Sequence, residues 1–94
     1  MKRKVVISTK FKRDLEIARK SRTFKLEVFE EVLEKLILDM PLDVKFKDHQ
    51  LRGRMKKYRD CHVHPDWILV YSKVDENELK ILELIRLESH SNLF

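Results

Sequence analysis

The sequence holds a single cysteine, a single glycine, two prolines and one tryptophan in 94 residues. Cys61 alone cannot form an internal disulfide, so the fold must stand on packing, and a reducing cytoplasm is the expected compartment. Long apolar runs are missing as well. The longest, Trp67-Ile68-Leu69-Val70-Tyr71, falls far short of the roughly 18 residues that a membrane span requires, which excludes a transmembrane reading. The basic start Met1-Lys2-Arg3-Lys4 is followed only by Val5-Val6-Ile7 before polar residues return, so no signal peptide and no membrane partner are expected. Internal repeats and low-complexity tracts are absent. What is present describes a folded chain: 43% hydrophobic and 39% charged residues, with a mean hydropathy of -0.47. At 11.5 kDa, residues 1–94 are expected to form one domain, because a single core of ordinary size needs about 100 residues.

The net charge of +5 is unevenly spread. Residues 1–25 carry ten Lys/Arg against two Asp/Glu, and residues 41–60 carry seven against three, giving +8 and +4; the remaining segments are acidic. Clustered cations neutralise phosphates and release their counterions, so a polyanionic partner is the leading expectation. The alternative is a solvated helix face, since basic segments need not converge in space.

Residues 4–8 are β-branched and precede Thr9, which predicts a short strand and then a helix N-cap. From Lys10 to Arg22, Phe11, Leu15 and Ala18 recur at helical spacing. Ser21-Arg22-Thr23 supplies a break and a second N-cap, after which Leu26, Phe29, Val32, Leu33, Leu36, Ile37 and Met40 form an apolar stripe ending at Pro41. So short a break predicts a helical hairpin. Pro41 to Gly53 is a loop by composition. Met55–Val63 and Trp67–Lys73 then read as paired strands around a His64-Pro65-Asp66 turn, and Leu79–Leu87 as a last strand after the turn residues 75–78. The fold class is α+β: an N-terminal strand and a helical hairpin packed on an antiparallel sheet, in the order β-α-α-β-β-β.

The four histidines, His49, His62, His64 and His90, all fall in the second half, with Asp66 and Arg86. The predicted strand ends would bring His62, Asp66, Arg86 and His90 together. Imidazoles, a carboxylate and a guanidinium are the parts needed to cleave a phosphodiester with the RNA 2′-hydroxyl. One group takes the hydroxyl proton, one stabilises the charged phosphorane and one protonates the leaving 5′-oxygen. Histidine suits either proton transfer, and arginine suits the phosphorane because it stays charged and offers several donors. His64, beside a proline in a turn, reads as a surface residue. Trp67 opens an apolar strand, where a core ring and a base-stacking platform are both open readings. Cys61-His62-Val63-His64 invites a metal reading, but alternation turns Cys61 away from the histidine face and four well-spaced ligands are lacking. No metal and no other cofactor are expected.

Two segments, Tyr58-Arg59-Asp60-Cys61-His62-Val63-His64-Pro65-Asp66-Trp67 and Arg86-Leu87-Glu88-Ser89-His90-Ser91-Asn92-Leu93-Phe94, resemble the YafQ branch of the RelE/ParE toxin superfamily. Phe46-Lys47-Asp48-His49-Gln50-Leu51-Arg52-Gly53 is similar to the branch pattern too, and the likeness extends over nearly the whole chain. The resemblance implies a RelE-like fold and a toxin of a bacterial type II toxin–antitoxin pair. Such a toxin is an endoribonuclease that cuts mRNA on the ribosome without a metal and is silenced by a bound antitoxin, here one with an acidic segment. Operator DNA would be a partner only of the toxin–antitoxin complex. The family's active-site positions fall on His49, His62, Asp66, Trp67, Arg86, His90 and Phe94. The resemblance implies His90 as general acid, Arg86 as phosphate clamp, His49 and Asp66 as proton acceptor or its orienting group, and His62 as a positioning group. Trp67 and Phe94 would bind substrate, and Lys56, Lys57 and Arg59 would contact phosphates. Glu88 departs from the pattern, which usually has glycine there; it adds a carboxylate beside Arg86 and is expected to compete with substrate phosphate. The competing readings are a ParE-like toxin that inhibits a protein target and a nucleic-acid-binding module without chemistry. Three imidazoles around an arginine favour the nuclease, since a pure inhibitor has no use for them.

Overall fold

The computed structural model describes residues 2–89. Strand β1 (Lys4–Ile7) leads into helix α1 (Thr9–Arg19), and helix α2 (Leu26–Ile37) follows after a short break. A 3-10 turn at Val44–Phe46 comes before the two-residue strand β2 (His49–Gln50), and a second at Gly53–Met55 before β3 (Arg59–Val63). Strands β4 (Trp67–Glu76) and β5 (Leu79–Ser89) complete a five-stranded sheet of order β1-β5-β4-β3-β2.

The α+β class and the helix-helix-then-strands order are those read from the sequence, with the details moved by contacts remote in the chain. The sheet is mixed rather than antiparallel throughout, because β1 runs parallel to β5 with Val5 opposite Leu82. The strand expected from Met55 begins at Arg59; the residues before it turn through Gly53, whose φ of +65° is a left-handed conformation that suits glycine. The loop expected from Pro41 to Gly53 contains β2, which pairs with β3. Ser8, not Thr9, caps α1, its Oγ accepting the Phe11 N–H at 2.9 Å. The expected cap at Ser21–Thr23 does not form either. Lys25 occupies that position without a side-chain bond, and the Thr23 hydroxyl instead accepts the Trp67 indole N–H at 2.9 Å.

Both helices lie on one face of the sheet. Phe11 and Ala18 of α1 and Phe29, Val32 and Leu36 of α2 meet Cys61, Val63, Trp67, Leu69, Tyr71, Leu82, Leu84 and Leu87 in one core. Phe11 stacks on Phe29, and Phe24 meets the Trp67 ring edge-on, so the helical hairpin is joined by aromatic contacts. Among the described residues no helix is long and apolar enough to cross a membrane.

Arg3 ties the ends of the layers together. It is buried, its Nε donates to Asp39 beyond α2 at 2.7 Å, its Nη1 donates to the Ile81 carbonyl on β5, and Asp75 of the β4–β5 hairpin lies 2.9 Å from the same nitrogen. Lys73 also donates to Asp39, and the bonds from Arg3 first and Lys73 second hold the Asp39 carboxyl down to about 2 from its ordinary 3.8. A depressed carboxyl stabilises the fold above its unfolded pKa and loses that contribution as pH falls toward the folded one. Asp39→Asn is therefore expected to be less stable than the parent at pH 6, with the difference in urea midpoint shrinking between pH 3.8 and about 2. A difference that is constant over that range would exclude an ionic role for Asp39.

Candidate active site

The register of the sheet sorts the second half of the chain onto two faces. His49 pairs with Asp60, Asp60 with Val70, and Val70 with Arg86, so these four side chains share one row across β2, β3, β4 and β5. The next row on the same face carries His62, Ile68 and Glu88. The rows between them, Cys61-Leu69-Leu87 among them, point into the core. Cys61 is fully buried there, and burial pushes its thiol far above the usual range, consistent with a packed side chain.

Arg86 reaches this face through an irregularity in β5. Tyr71 pairs with Leu84 but Val70 pairs with Arg86, which leaves Ile85 as an extra residue and reverses the alternation beyond it. Leu84 and Leu87 can therefore both be core residues while Arg86 and Glu88 face outward. The guanidinium is held by Asp14 of α1, whose Oδ2 accepts from Nε at 2.7 Å and Oδ1 from Nη2 at 3.3 Å. Asp14 Oδ2 also accepts the Leu87 N–H at 2.9 Å. β1 has already ended at Ile7, opposite Leu84, so a carboxylate takes the place of a neighbouring strand. Glu88 forms a second ion pair with Arg86 Nη2. Its backbone is in regular strand, without the positive φ that would require glycine.

His49 is half exposed on β2. Its Nδ1 lies 2.8 Å from the Lys47 carbonyl and 3.1 Å from Asp60 Oδ1. A carbonyl accepts only, so Nδ1 carries the hydrogen and Nε2 is left to take a proton. Asp60 is 2% exposed, and its Oδ1 makes no hydrogen bond although the imidazole is close, because the ring N–H points at Lys47. Burial raises the Asp60 pKa, while charge on His49 and then His62 pulls it down. A buried carboxylate thus stands behind two imidazoles, where it can stabilise either as a cation.

The neighbouring Asp48 secures the histidine strand. It accepts from the Tyr71 hydroxyl on β4, and its two oxygens accept from Arg59 at 3.1 and 3.3 Å. Burial, then the bond to Asp48, raises the Tyr71 pKa and keeps this hydroxyl a donor.

Not every residue singled out from the sequence joins the row. Arg59 pairs with Tyr71, lies on the other face from His62 and is engaged by Asp48. Lys56 and Lys57 are exposed after the second 3-10 turn, with Lys57 Nζ 5.0 Å from the Tyr58 ring centroid. Asp66 is exposed in the turn before β4. Trp67 is 6% exposed, with its ring in the core beside Phe24 and its indole N–H used by Thr23, so its accessible surface is small. His64 lies apart from His62, its Nε2 2.6 Å from the Lys45 carbonyl. His90 and Phe94 lie outside the described residues. Among the described residues no group of three or more His, Cys, Asp or Glu could hold a metal ion.

Asp14, Asp48 and Asp60 are the site residues that sequence reading missed. For Asp14 a signal existed: position 14 is three residues after Phe11 and four before Ala18, a carboxylate on the apolar stripe of a basic helix.

The family model for bacterial toxins of type II toxin–antitoxin systems, YafQ, matches residues 3–94. The mRNA interferase toxin YafQ of Escherichia coli strain K12 is 36% identical over 95 residues, covering 100% of this chain and 98% of that protein. The toxin in the crystal structure of the E. coli DinJ–YafQ toxin–antitoxin complex superposes with a TM-score of 0.84 at 35% identity, covering 100% of this chain and 99% of that one. A metal-bound toxin from Helicobacter pylori matches with a TM-score of 0.82 at 40% identity over the full length of both chains. The chain belongs to the YafQ family of bacterial type II toxins.

The position of Asp60 yields a prediction. A carboxyl whose folded pKa is raised costs nothing while protonated and becomes destabilising as pH rises through the ordinary carboxylate range. Asp60→Asn should melt higher than the parent at pH 7, with the gain vanishing near pH 3. A gain of equal size at both values would assign it to packing rather than charge.

Proposed function

We propose that this toxin is an mRNA interferase: an endoribonuclease, acting as one domain over residues 1–94 in the cytoplasm, that cuts mRNA on the ribosome by acid–base chemistry without a metal. The observation that carries this reading is the single sheet row of His49, Asp60 and Arg86, with His62 in the next. The activity named for the E. coli relative supports it.

In this mechanism the RNA 2′-oxygen attacks the adjacent phosphorus while a base takes its proton. His49 Nε2 is suited to that step, with Asp60 behind the ring to stabilise the imidazolium, and Asp66 is the alternative acceptor or orienting group. Arg86 donates to the equatorial phosphate oxygens, where negative charge grows. His62 positions the nucleotide. The P–O5′ bond breaks as His90 gives a proton to the leaving oxygen, leaving a 2′,3′-cyclic phosphate and a 5′-hydroxyl. Phe94 and the edge of Trp67 that borders the cleft beside Arg86 contribute apolar contact to the substrate, Lys56 and Lys57 contact backbone phosphates near the reacting one, and Arg59, held by Asp48 on the other face, contacts one farther along the RNA.

The partners follow from the charge and from the relatives. The DinJ–YafQ complex supports a cognate antitoxin that silences this toxin. Nine of the ten cations in residues 1–25 are exposed, all but Arg3, so the antitoxin segment that covers them is acidic. Operator DNA is bound only by the toxin–antitoxin complex.

Purified toxin added to programmed ribosomes should produce discrete mRNA 5′ ends, with far less cleavage of naked RNA and no loss in EDTA. His90→Ala should reduce single-turnover cleavage about 100-fold, the usual scale of general acid–base effects, while still binding antitoxin. Equal cleavage of naked RNA would remove the ribosome from the reading, and activity lost in EDTA and restored by zinc would replace it with metal chemistry. Intact mRNA in every condition would return the ParE-like inhibitor reading.

A further inference from the structure

We propose that Glu88 is an intramolecular competitor for the phosphate-binding edge of Arg86, and that Asp14 is the positioning residue that holds the opposite edge fixed. The inference rests on the reading of Arg86 as the phosphate clamp and adds to it a built-in counter-charge that substrate must displace.

The two carboxylates on this guanidinium are not equivalent. Asp14 is buried on α1, uses both oxygens on Arg86, and also accepts the Leu87 N–H. Pulling it away would strand a buried carboxylate and an unpaired backbone donor, each costly. Glu88 sits two residues along β5 from Arg86 on the same face, opposite the apolar Ile68, and pairs with Nη2 alone. A rotation of its side chain releases Arg86 without disturbing the sheet.

Charge and donor counting point the same way. With both carboxylates in place the cluster carries one net negative charge and repels phosphate. With Glu88 displaced, Asp14 and Arg86 form a neutral pair. The guanidinium then keeps its second Nη2 hydrogen and both Nη1 hydrogens for phosphate oxygens, in a planar fork whose orientation Asp14 has already set. The same residues border a cleft of about 240 Å³ between α1 and the end of β5, lined also by Trp67 and Ser89. A phosphate entering this cleft meets Arg86 at the position that Glu88 now occupies.

The test uses the intact toxin and inorganic phosphate as probe. In ¹H–¹⁵N spectra the Arg86 Nε–H signal is assigned by its loss in Arg86→Ala. Phosphate should perturb this signal at a concentration about fivefold or more lower in Glu88→Gln than in the parent, fivefold being the scale of one unit charge about 4 Å away in bulk water. On programmed ribosomes the same variant should lower KM with kcat little changed. Glu78→Gln removes an equal charge from the turn that precedes β5, at the opposite end of the strand, and should leave phosphate affinity at the parental value. Asp14→Asn should lose kcat and broaden or shift the Nε–H signal without phosphate. Parental phosphate affinity and KM in Glu88→Gln, or an equal gain in Glu78→Gln, would overturn the proposal. If the parent cuts no mRNA while Glu88→Gln still binds phosphate more tightly, the mRNA reading fails and the competitor stands.

Discussion

The site depends on one irregularity in the β4–β5 pairing. At the extra residue Ile85, β5 changes which of its side chains face the helices. A strand in strict alternation could not place Leu82, Leu84 and Leu87 all in the core, because positions 84 and 87 have opposite parity. The bulge resolves that conflict and turns Arg86 to the outer face. Ser8 meets it there: its hydroxyl donates to the Ile85 carbonyl at 2.8 Å while accepting from Phe11 N–H. One side chain thus caps α1 and bonds to the bulge. Fixing the start of α1 there places Asp14, one and a half turns on, against Leu87 and Arg86.

This arrangement puts the apolar core on one face of the sheet and the candidate site residues on the other, beside the buried Ile68 and Val70. The helix-facing rows hold the apolar core. The outer rows hold His49, Asp60, His62, Arg86 and Glu88 on paired strands, where ladder bonds limit their movement. Rigid strands give a more defined geometry than loops, but they require some polar groups to be buried. Asp60 shows the cost, with an oxygen that no donor reaches in the folded state. Asp14 shows the compensated case, since each of its oxygens has a donor.

What the sequence revealed was its local periodicity, and what it concealed was long-range pairing. The spacing of Phe11, Leu15 and Ala18 and the stripe from Leu26 to Ile37 were sufficient for both helices, and the apolar run Trp67–Tyr71 marked β4, whereas the periodicity of Leu79–Leu87 suited a helix as well and β5 was read from the turn residues before it. The parallel seating of β1 depends on partners about 77 residues away, as Lys4 does on Ile81, and no local pattern encodes it. The histidines and Arg86 stood out as candidates because few residue types can do phosphodiester chemistry. Of their supports only Asp14 had a local signal, its place on the apolar stripe of α1, whereas Asp48 and Asp60 look like ordinary surface acids until the sheet brings Tyr71 and His49 to them. Trp67 shows the opposite limit: a motif can point to a residue without revealing that its ring is buried.

The cations divide along the same line. Arg3, Arg59 and Arg86, the arginines with carboxylate partners among the described residues, each bind aspartates far away in sequence or across strands. Planar guanidinium groups serve here as fixed connectors, and of the three only Arg86 stands in the row of His49. The lysines and arginines along α1 and in the segment after β2 are mostly exposed, which suits attraction over a distance to a polyanion. Their charges can be redistributed along the surface with small effect, because long-range attraction depends on net charge more than on position. Arg86 has no such freedom. Where its donors point is set by the two carboxylates that share it, Asp14 and Glu88, rather than by the net charge of the surface.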